Sequence, residues 1–270
     1  MQQTTIARTV EWRGIGLHGG RPATVRVLPA LADTGLVFVP LDAGSSPMPI
    51  RVGPESVHST DRAMVLAAAG AEDGERAAAS RVATVEHLLA SLYALGIHNA
   101  RIEVTGGEIP VLDGSASSYA TRLRRAGRRI LGAVRRELEV TGVLRIGDER
   151  RWIQVEPAHG LEIDYTIDFD HPFVGRQRHA LAVDPDVFES GLAPARTFGF
   201  ADEVEALHVQ GLARGGDLSN TLVVGKDGLL NAEGLRWPDE LVRHKIVDLL
   251  GDLALLEAEL HARITVEKGG

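Results

Sequence analysis

A histidine and an aspartate four residues apart, His244 and Asp248, lie in a stretch whose apolar residues recur at helical spacing. These apolar residues are Leu241, Val242, Ile246, Leu249, Leu250 and Leu253. The spacing predicts an amphipathic helix opened by Pro238 and the acidic pair Asp239 and Glu240. Residues four apart share a helix face, so the two side chains could hold a divalent metal from one side. A hydrolytic zinc site needs a third protein ligand, which must come from another segment.

A second pair suited to metal chemistry, Glu86 and His87, stands near the start of a leucine-rich stretch. Its leucines recur at helical spacing, which predicts a helix capped by Thr84 and ended by Gly96. These leucines are Leu88, Leu89, Leu92 and Leu95. A buried glutamate and histidine are costly unless they have partners, and a metal ion with its water would supply them. The alternative is a helix start whose Glu86 and His87 face solvent.

The stretch from Gly14 to Gly20, GIGLHGG, is too rich in glycine for a regular element and contains His18. Such a loop could bring backbone amides close to a ligand, because glycine has no side chain to prevent the approach. The alternative is a plain turn with an exposed histidine, and the residues alone leave both interpretations open.

Composition excludes several classes of function. The chain has 270 residues, 44% hydrophobic content, a net charge of −8 and no cysteine. The negative charge argues against nucleic-acid binding. Without cysteine neither a disulfide nor a thiolate zinc site can form, so His and carboxylate side chains must hold any metal. The start lacks the basic and apolar segments of a signal peptide, and no segment reaches the length of a membrane span. We therefore expect a soluble cytoplasmic protein.

Length predicts two domains, residues 1–131 and residues 132–270. In each half, strands precede a helix that carries candidate metal ligands, which suggests a duplicated unit. A helix is predicted from Ser117 to Ala126. The arginine-rich run from Arg122 to Arg136 is interpreted as a solvated helix end and a linker, with the domain boundary near Gly132.

These groups and their surroundings together resemble the UDP-3-O-acyl-N-acetylglucosamine deacetylase family, the zinc amidases of lipid A biosynthesis. The matching stretches extend from Thr5 to Gly270, and their order, spacing and joint presence make the resemblance specific. They are GIGLHGGRPATV, TVEHLLASLYALGIHNARIEV, GGEIPVLDGSA, IDFDHPFVG, ARTFGF, NAEGLRWPDELVRHKIVDLLGDL and ITVEKGG.

The resemblance implies an α+β fold of two similar domains, each with a β-sheet layered on a helical pair and with the active site between them. The first domain supplies Glu86 and His87, and the second supplies His244, Asp248 and the passage for an acyl chain. The residues His87, His244 and Asp248 are similar to the family's zinc ligands, with Fe²⁺ as the alternative metal. Glu86 resembles the general base that takes a proton from the zinc-bound water.

Three further residues match catalytic positions of the family. Thr197 resembles the residue that stabilises the tetrahedral oxyanion. Lys245 resembles the cation that meets the substrate phosphate, and Asp252 matches the carboxylate that orients a catalytic histidine.

The resemblance also implies a set of substrate-binding residues. Phe169 is similar to a residue of the uridine pocket, Phe198 lies beside Thr197, and Lys268 is similar to a diphosphate contact. His18 completes the set, and residues 197–214 contribute to the acyl passage. The implied substrate is acylated UDP-N-acetylglucosamine. The implied protein is a monomer that binds no nucleic acid and can make transient contact with a membrane surface.

The chain departs from the family pattern at its last residues. The family has a histidine immediately after the pair that corresponds to Gly269 and Gly270, and this chain stops one residue before it. We therefore expect a second domain cut short at its C-terminus and an Asp252 that lacks its histidine partner. His261 lies in the same tail at another position and is interpreted as an exposed strand histidine.

Two alternatives to the deacetylase stay open at this point. A catalytically impaired relative would bind zinc and sugar nucleotide without turnover, and the absent histidine is the argument for it. A zinc hydrolase of another amide, such as a peptide, would leave the IDFDHP stretch and Lys245 unexplained.

Overall fold

Two large β-sheets carry the fold, and each half of the chain builds one of them. The computed structural model describes residues 1–42, 48–68 and 80–269. The strands of the first half are β1 (Gln2–Ile6), β2 (Val10–Ile15), β3 (Pro22–Pro29), β4 (Leu36–Pro40), β5 (Ile50–Arg51), β6 (Val57–Ser59), β7 (Val65–Ala67), β8 (Arg81–Ala83), β9 (Ala100–Thr105) and β10 (Arg128–Val134).

The second half of the chain supplies the remaining strands. Its strands are β11 (Glu137–Glu139), β12 (Leu144–Gly147), β13 (Trp152–Pro157), β14 (Leu161–Asp168), β15 (Arg176–Ala182), β16 (Phe198–Phe200), β17 (Leu222–Gly225), β18 (Gly228–Leu229) and β19 (Glu259–Glu267).

The two large sheets share one pairing order. The first runs β2-β3-β9-β4-β5 and the second runs β12-β13-β19-β14-β15, with β11 added beside β19. In both, the central strand is antiparallel to one neighbour and parallel to the other, and both outer pairs are antiparallel. This repeated order agrees with the predicted similarity of the halves, and the predicted α+β class is confirmed.

The longer helices lie between these sheets. They are α1 (Glu86–Ala94), α2 (Ser117–Ala126) and α5 (Glu240–Leu253), while α3 (Pro185–Val187) continues as a π-helical turn over Phe188–Leu192 and α4 (Val204–Val209) is short. Short 3₁₀ turns cover Pro54–Ser56, Ala201–Glu203 and Ala254–Leu256. No helix within the described ranges is long and apolar enough to cross a membrane.

Each half of the chain has its own hydrophobic core. In both cores the buried helix face is the one that the spacing of leucine and isoleucine predicts. Leu88 and Leu92 of α1 are fully buried with the strands of the first sheet. Ile246 and Leu250 of α5 are fully buried with those of the second. Because α1 precedes the central strand β9 and α5 precedes the central strand β19, the fold brings two equivalent helices face to face.

Two local predictions are wrong. Thr84 does not cap α1: its backbone has a φ of 58°, and its hydroxyl donates a hydrogen bond to Glu108 at 3.0 Å instead. Residues Arg128–Val134 are not a linker, since they form β10, which pairs with β1. The partners in both cases lie far away in sequence and leave no local signal.

The helix predicted from Ser117 to Ala126 is α2, with the same bounds. The division into domains at residue 131 stays a prediction. That position lies inside β10, and the second sheet begins with β11 at Glu137.

Candidate active site

Helix α5 places His244 and Asp248 on one turn, as their spacing predicts. His244 Nε2 lies 3.5 Å from Asp248 Oδ1. The His244 ring is buried, and its Nδ1 lies 3.0 Å from the carbonyl oxygen of Ala195. A proton on Nδ1 would be donated to that carbonyl, which leaves the Nε2 lone pair available to a metal.

The third group comes from the other half of the chain. His87, in the first turn of α1, has its Nε2 3.8 Å from Asp248 Oδ1. Its ring lies nearly perpendicular to that of His244, with centroids 4.9 Å apart. One ligand atom from each of the three residues falls within 4.8 Å of the others. The separations of 3.5 Å and 3.8 Å from Asp248 Oδ1 to the two imidazole nitrogens are close to those between ligand atoms around one zinc ion with bonds of about 2.0–2.2 Å, so the donor set fits the metal.

The charge state of these ligands suits a metal site. Burial and the adjacent His244 lower the pKa of His87 to about 4, so its imidazole is neutral near pH 7. Burial raises the pKa of Asp248, but the neighbouring His244, Lys245 and His87 outweigh this effect and bring it to about 2. Metal binding requires neutral imidazole and ionised carboxylate, and His87 and Asp248 meet this requirement.

Glu86 stands beside the ligands in a different environment. Its Oε1 accepts a hydrogen bond from the backbone amide of Met64, and its Oε2 is buried without a hydrogen-bond partner in the described part of the chain. Burial and the nearby Asp248 raise the pKa of Glu86 to about 8. Buried polar atoms are normally paired, so the empty side of this carboxylate indicates a place for substrate or water.

A glycine on α5 makes this convergence of the two helices possible. A Cβ atom at Gly251 would lie 2.6 Å from the carbonyl oxygen of Glu86 and 2.8 Å from its Cα. The backbones of α1 and α5 therefore touch where Glu86 enters the site. This contact was not predicted, because neither the glycine nor its partner has a local pattern that reveals it.

Lys245 and Asp252 lie on the same helix as Asp248. Lys245 Nζ donates to Asp248 Oδ2 at 3.2 Å, and this carboxylate raises the pKa of the lysine despite its burial. Burial and Asp248 raise the pKa of Asp252 to about 6, while Lys245 opposes them. The histidine expected beside Asp252 falls after Gly270, and Gly270 itself lies outside the described residues.

Thr197 is held by its backbone at the edge of the small sheet of β16, β17 and β18. Its amide donates to the Gly114 carbonyl at 2.8 Å, and its carbonyl accepts from the Leu222 amide at 2.8 Å. Gly114 has a φ of 79°, and a Cβ there would lie 2.0 Å from the carbonyl oxygen of Asn220. This crowding requires glycine in the GSA stretch, and it connects the first half of the chain with Thr197.

An aromatic cluster extends from the histidines toward the end of β14. The Phe198 ring centroid lies 6.4 Å from that of His244 and 5.9 Å from that of Phe169. Phe200 and His171 continue the cluster, with centroids 5.3 Å and 5.6 Å from their neighbours. The structure thus brings Phe169 and Phe198 together and adds Phe200 and His171, which were not predicted as site residues.

Lys268 lies at the end of β19 and pairs with Asp168, the last residue of β14, at 2.6 Å. Phe169 follows Asp168 directly, so Lys268 and Phe169 occupy the same end of the second sheet. His261 was expected to be exposed, and this is wrong: it is about one-fifth exposed, and its Nε2 is buried.

His18 belongs to a tightly held loop, not to a plain turn. The amides of His18 and Gly19 donate to the two oxygens of the Glu108 carboxylate at 2.8 Å each. The His18 Nδ1 accepts a hydrogen bond from the Ala213 amide at 3.3 Å, so the loop also contacts the predicted acyl passage. Glu108 is buried and also accepts the Thr84 hydroxyl. Glu108 was missed, although it lies in the GGEIP stretch used for the resemblance.

The fold and the geometry of the site together indicate a class of enzyme. Two imidazoles and a carboxylate converge between the two helices, and a second carboxylate with one unpartnered oxygen stands beside them. This arrangement is typical of metal-dependent hydrolases that attack a carbonyl with water.

Comparison with known families agrees with this class. The family model described as UDP-3-O-acyl N-acetylglycosamine deacetylase matches residues 3–270, and the chain belongs to this family. One relative, named UDP-3-O-acyl-N-acetylglucosamine deacetylase, from Anaeromyxobacter sp. (strain Fw109-5), is 41% identical over 99% of this chain and 84% of its own length.

Two further relatives carry the same name. The protein from Oleidesulfovibrio alaskensis is 42% identical over 100% of this chain and 85% of its own length. The protein from Helicobacter hepaticus is 40% identical over 95% of this chain and 82% of its own length.

Proposed function

We propose that this protein hydrolyses the N-acetyl group of UDP-3-O-acyl-N-acetylglucosamine and releases acetate, a step of lipid A biosynthesis. Membership of the family and the shared name of its relatives support this activity. The observation that carries it is the convergence of His87, His244 and Asp248, from both halves of the chain, within 4.8 Å. Glu86 beside them speaks against a catalytically impaired relative, because the ligands and the base are both in place.

Zinc is the metal we propose for this site, with Fe²⁺ as the alternative. When bound, the ion supplies Lewis-acid chemistry, which polarises the amide carbonyl and makes water more acidic. His87 and His244 would bind it through Nε2 and Asp248 through a carboxylate oxygen. The hydrogen bond between His244 Nδ1 and the Ala195 carbonyl fixes the ring for that role.

Glu86 is the proposed general base and acid. Its unpartnered Oε2 can accept a proton from the attacking water. The protonated carboxyl can then give that proton to the leaving amine nitrogen, as the carbon–nitrogen bond breaks. One residue then serves both proton transfers.

Thr197 is the proposed hydrogen-bond donor to the oxyanion. Its backbone is bound on both sides, to Gly114 and to Leu222, so its hydroxyl starts from a fixed main chain. Such a preorganised donor is effective because little free energy is lost in orienting it during the reaction.

The remaining predicted residues are assigned to substrate binding. Phe169 and Phe198 lie in the aromatic cluster that would contact the nucleoside, and Lys268 lies beside Phe169 for the diphosphate. Lys245 is proposed to meet the phosphate, and Asp252 to orient the expected histidine. The His18 loop contacts the segment at Ala213, which is consistent with a wall of the acyl passage over residues 197–214.

We also propose that the protein acts as a monomer in the cytoplasm and makes transient contact with a membrane surface. Its substrate would have a soluble UDP-sugar and an acyl chain. The exposed Val209 on α4, in the segment of the acyl passage, supports such contact.

An acetate-release assay on the acylated UDP-sugar tests this function. We expect turnover by the purified protein and none when the N-acetyl group is absent from the sugar. Binding of zinc and sugar nucleotide without release of acetate would establish the impaired alternative. Hydrolysis of acetylated peptides in place of the sugar nucleotide would point to a different amidase.

A further inference from the structure

The peptide group between Ala195 and Arg196 is held at both of its polar atoms by one helix. Its carbonyl oxygen lies 3.0 Å from His244 Nδ1, and its amide donates to Glu240 Oε1 at 3.1 Å. His244 and Glu240 are four residues apart on α5, so they lie on the same face of the helix, one turn from each other. A single peptide group therefore connects a proposed metal ligand with a residue outside the metal site.

Glu240 is the first residue of α5, and its side chain is completely buried. Its Oε1 accepts hydrogen bonds from the amide and from Nε of Arg196, at 3.1 Å and 2.8 Å. Its Oε2 accepts from Nη2 of Arg196 at 3.1 Å and from the amide of Arg236 at 2.5 Å. Hydrogen bonds to a charged acceptor are the stronger ones, so four of them fix the orientation of this carboxylate.

The Arg196 guanidinium holds the same carboxylate and is itself buried. Its remaining donors bind Glu233 and the carbonyl of Gly234, each at 2.8 Å. The desolvation cost of a buried ion pair can exceed the attraction between its charges, so the pair between Arg196 and Glu240 is a weak source of stability. Its clearer effect is on position, because it fixes the Glu240 oxygen that meets the peptide amide.

The residues on either side of this peptide group are bound to other partners. The Pro194 carbonyl accepts from Nη1 of Arg236 at 2.5 Å, and the Thr197 amide donates to the Gly114 carbonyl at 2.8 Å. Within the described ranges, the amide of Arg196 and the carbonyl of Ala195 bind only to α5. The rotation of this peptide group is therefore controlled by Glu240 and His244.

The orientation of the peptide group determines which nitrogen of His244 carries the proton. A carbonyl oxygen can only accept, so its contact with Nδ1 requires a proton there and leaves the lone pair on Nε2. Nε2 is the nitrogen that lies 3.5 Å from Asp248 Oδ1, on the side of the proposed metal. If the peptide group rotated, the ring would lose its acceptor and could adopt the other tautomer.

We infer that Glu240 is a positioning residue for His244 and acts through the peptide group between Ala195 and Arg196. Glu240 binds the amide of this group, which turns its carbonyl toward His244 Nδ1 and keeps Nε2 free for a metal ion. The inference rests on the proposed role of His244 as a metal ligand. Loss of such an outer partner of a ligating histidine typically lowers metal affinity by about 10- to 100-fold.

Zinc affinity, measured without substrate by competition with a chromophoric chelator, tests the inference. Glu240→Gln is compared with Glu233→Gln, which also removes a negative partner of Arg196 but changes a 54% exposed side chain that does not contact the peptide group. We expect zinc to bind about tenfold or more weakly in Glu240→Gln and within about threefold of the wild type in Glu233→Gln.

The outcomes of this titration separate the inference from the proposed function. Zinc binding that Glu240→Gln leaves unchanged would overturn the inference alone. A wild type that binds no zinc would overturn the proposed function, and the inference with it.

The tautomer of His244 is a readout that a merely structural role would not change. Nitrogen-15 spectra of the metal-free protein with labelled histidine distinguish a ring protonated at Nδ1 from one protonated at Nε2. The signal that is missing from His244→Gln identifies this ring. We expect the Nδ1-protonated form in the wild type and in Glu233→Gln, and a mixture of both forms in Glu240→Gln. The Nδ1-protonated form alone in Glu240→Gln would contradict the inference.

A second variant serves if circular dichroism shows that Glu240→Gln does not fold. Glu240→Asp keeps the negative charge opposite Arg196 but shortens the side chain by one methylene group, which withdraws the oxygen from the peptide amide. We expect the same weakening of zinc binding and the same mixture of tautomers. Wild-type values of both in Glu240→Asp would overturn the inference.

Discussion

Glu86 and Asp248 are two buried carboxylates in one site, and their surroundings are opposite. Asp248 is surrounded by Lys245, His244 and His87, which bring its pKa to about 2. Glu86 has one backbone amide as a partner and an unpartnered second oxygen, and its pKa rises to about 8. Carboxylates whose environments separate their pKa values in this way take different tasks. One stays ionised as a metal ligand, and the other can carry a proton.

The scaffold around the two carboxylates is the same. Helices α1 and α5 each precede the central strand of a sheet with the same pairing order. The first half nevertheless supplies an adjacent Glu-His pair, whereas the second supplies a histidine and an aspartate one turn apart. The fold is repeated, but the two helices carry different side chains. These side chains determine which helix supplies the base and which ligands each helix supplies.

Replacing the proton carrier should have the largest effect. We expect Glu86→Gln to lower kcat on the order of a thousandfold, because the amide cannot accept the proton of water. Steady-state acetate release measures this loss. Glu103→Gln, on the strand β9 of the same half, is the control and should keep full activity. If Glu86→Gln retained a tenth of the activity or more, the two carboxylates would not differ as proposed.

The close contact between the helices should have the next largest effect. We expect Gly251→Ala to lower kcat about ten- to a hundredfold, since the added methyl group would lie 2.6 Å from the Glu86 carbonyl oxygen and push Glu86 away from the site. Steady-state kinetics measure the change in kcat, and circular dichroism shows whether the variant is folded. Gly132→Ala is the control, because no atom lies within 4 Å of its added Cβ. Equal kcat in the two variants would show that the spacing of the helices is not critical.

A third buried carboxylate, Glu108, accepts hydrogen bonds from three donors and has no proposed role in the reaction. It can therefore be compared with Glu86. In Glu108→Gln one oxygen is replaced by an amide group, so the loop amides of His18 and Gly19 cannot both be satisfied. We expect KM for the acylated substrate to rise roughly tenfold, with kcat changed by less than about threefold. Measurement of KM and kcat for Glu108→Gln, with Glu103→Gln as the control, tests this prediction. A fall in kcat at constant KM would assign Glu108 to the chemistry.

The smallest effect concerns a histidine away from the metal site. Burial and Arg135 lower the pKa of His98 to about 4 from its usual 6.5, and its Nδ1 accepts the Thr4 amide. Below pH 6.5 the unfolded chain takes up a proton that the folded chain resists. His98 therefore contributes stability above pH 6.5 that is lost as the pH falls toward 4.

Urea unfolding at pH 7.5 and pH 5 measures this dependence. We expect His98→Gln to lose less stability between the two values than the wild type, whereas His58→Gln, at an exposed position, should behave like the wild type. The same loss in all three proteins would show that His98 does not titrate on unfolding.

Local features of the sequence predict part of this molecule well. The apolar stripe of α5 predicts both the helix and the shared turn of His244 and Asp248, and the bounds of α2 follow from sequence alone. The convergence of His87 with α5 could be expected only from family resemblance, because it depends on packing between segments more than 150 residues apart. The contact at Gly251 and the bonds to Glu108 escaped prediction for the same reason.

The wrong predictions for Thr84 and for the arginine-rich run have the same cause. Thr84 has the residue type of a helix cap, yet Glu108 offers its hydroxyl a buried charged acceptor, which is stronger than a helix amide. The arginine-rich run before Gly132 has the composition of a linker, yet β1 supplies a strand for it to pair with. Partners that are distant in sequence determine the conformation at Thr84 and the formation of β10. Local sequence propensity indicates neither of them.

Metal content per chain is the most direct measurement of the central claim, that both halves of the protein hold one metal beside a separate base. Atomic emission on the wild type, Glu86→Gln, His87→Ala, His244→Ala and Asp248→Asn provides it. We predict about one equivalent in the wild type and in Glu86→Gln, and almost none in the three ligand variants. A full equivalent in His87→Ala would contradict the account, because the first half would then contribute nothing to the metal site.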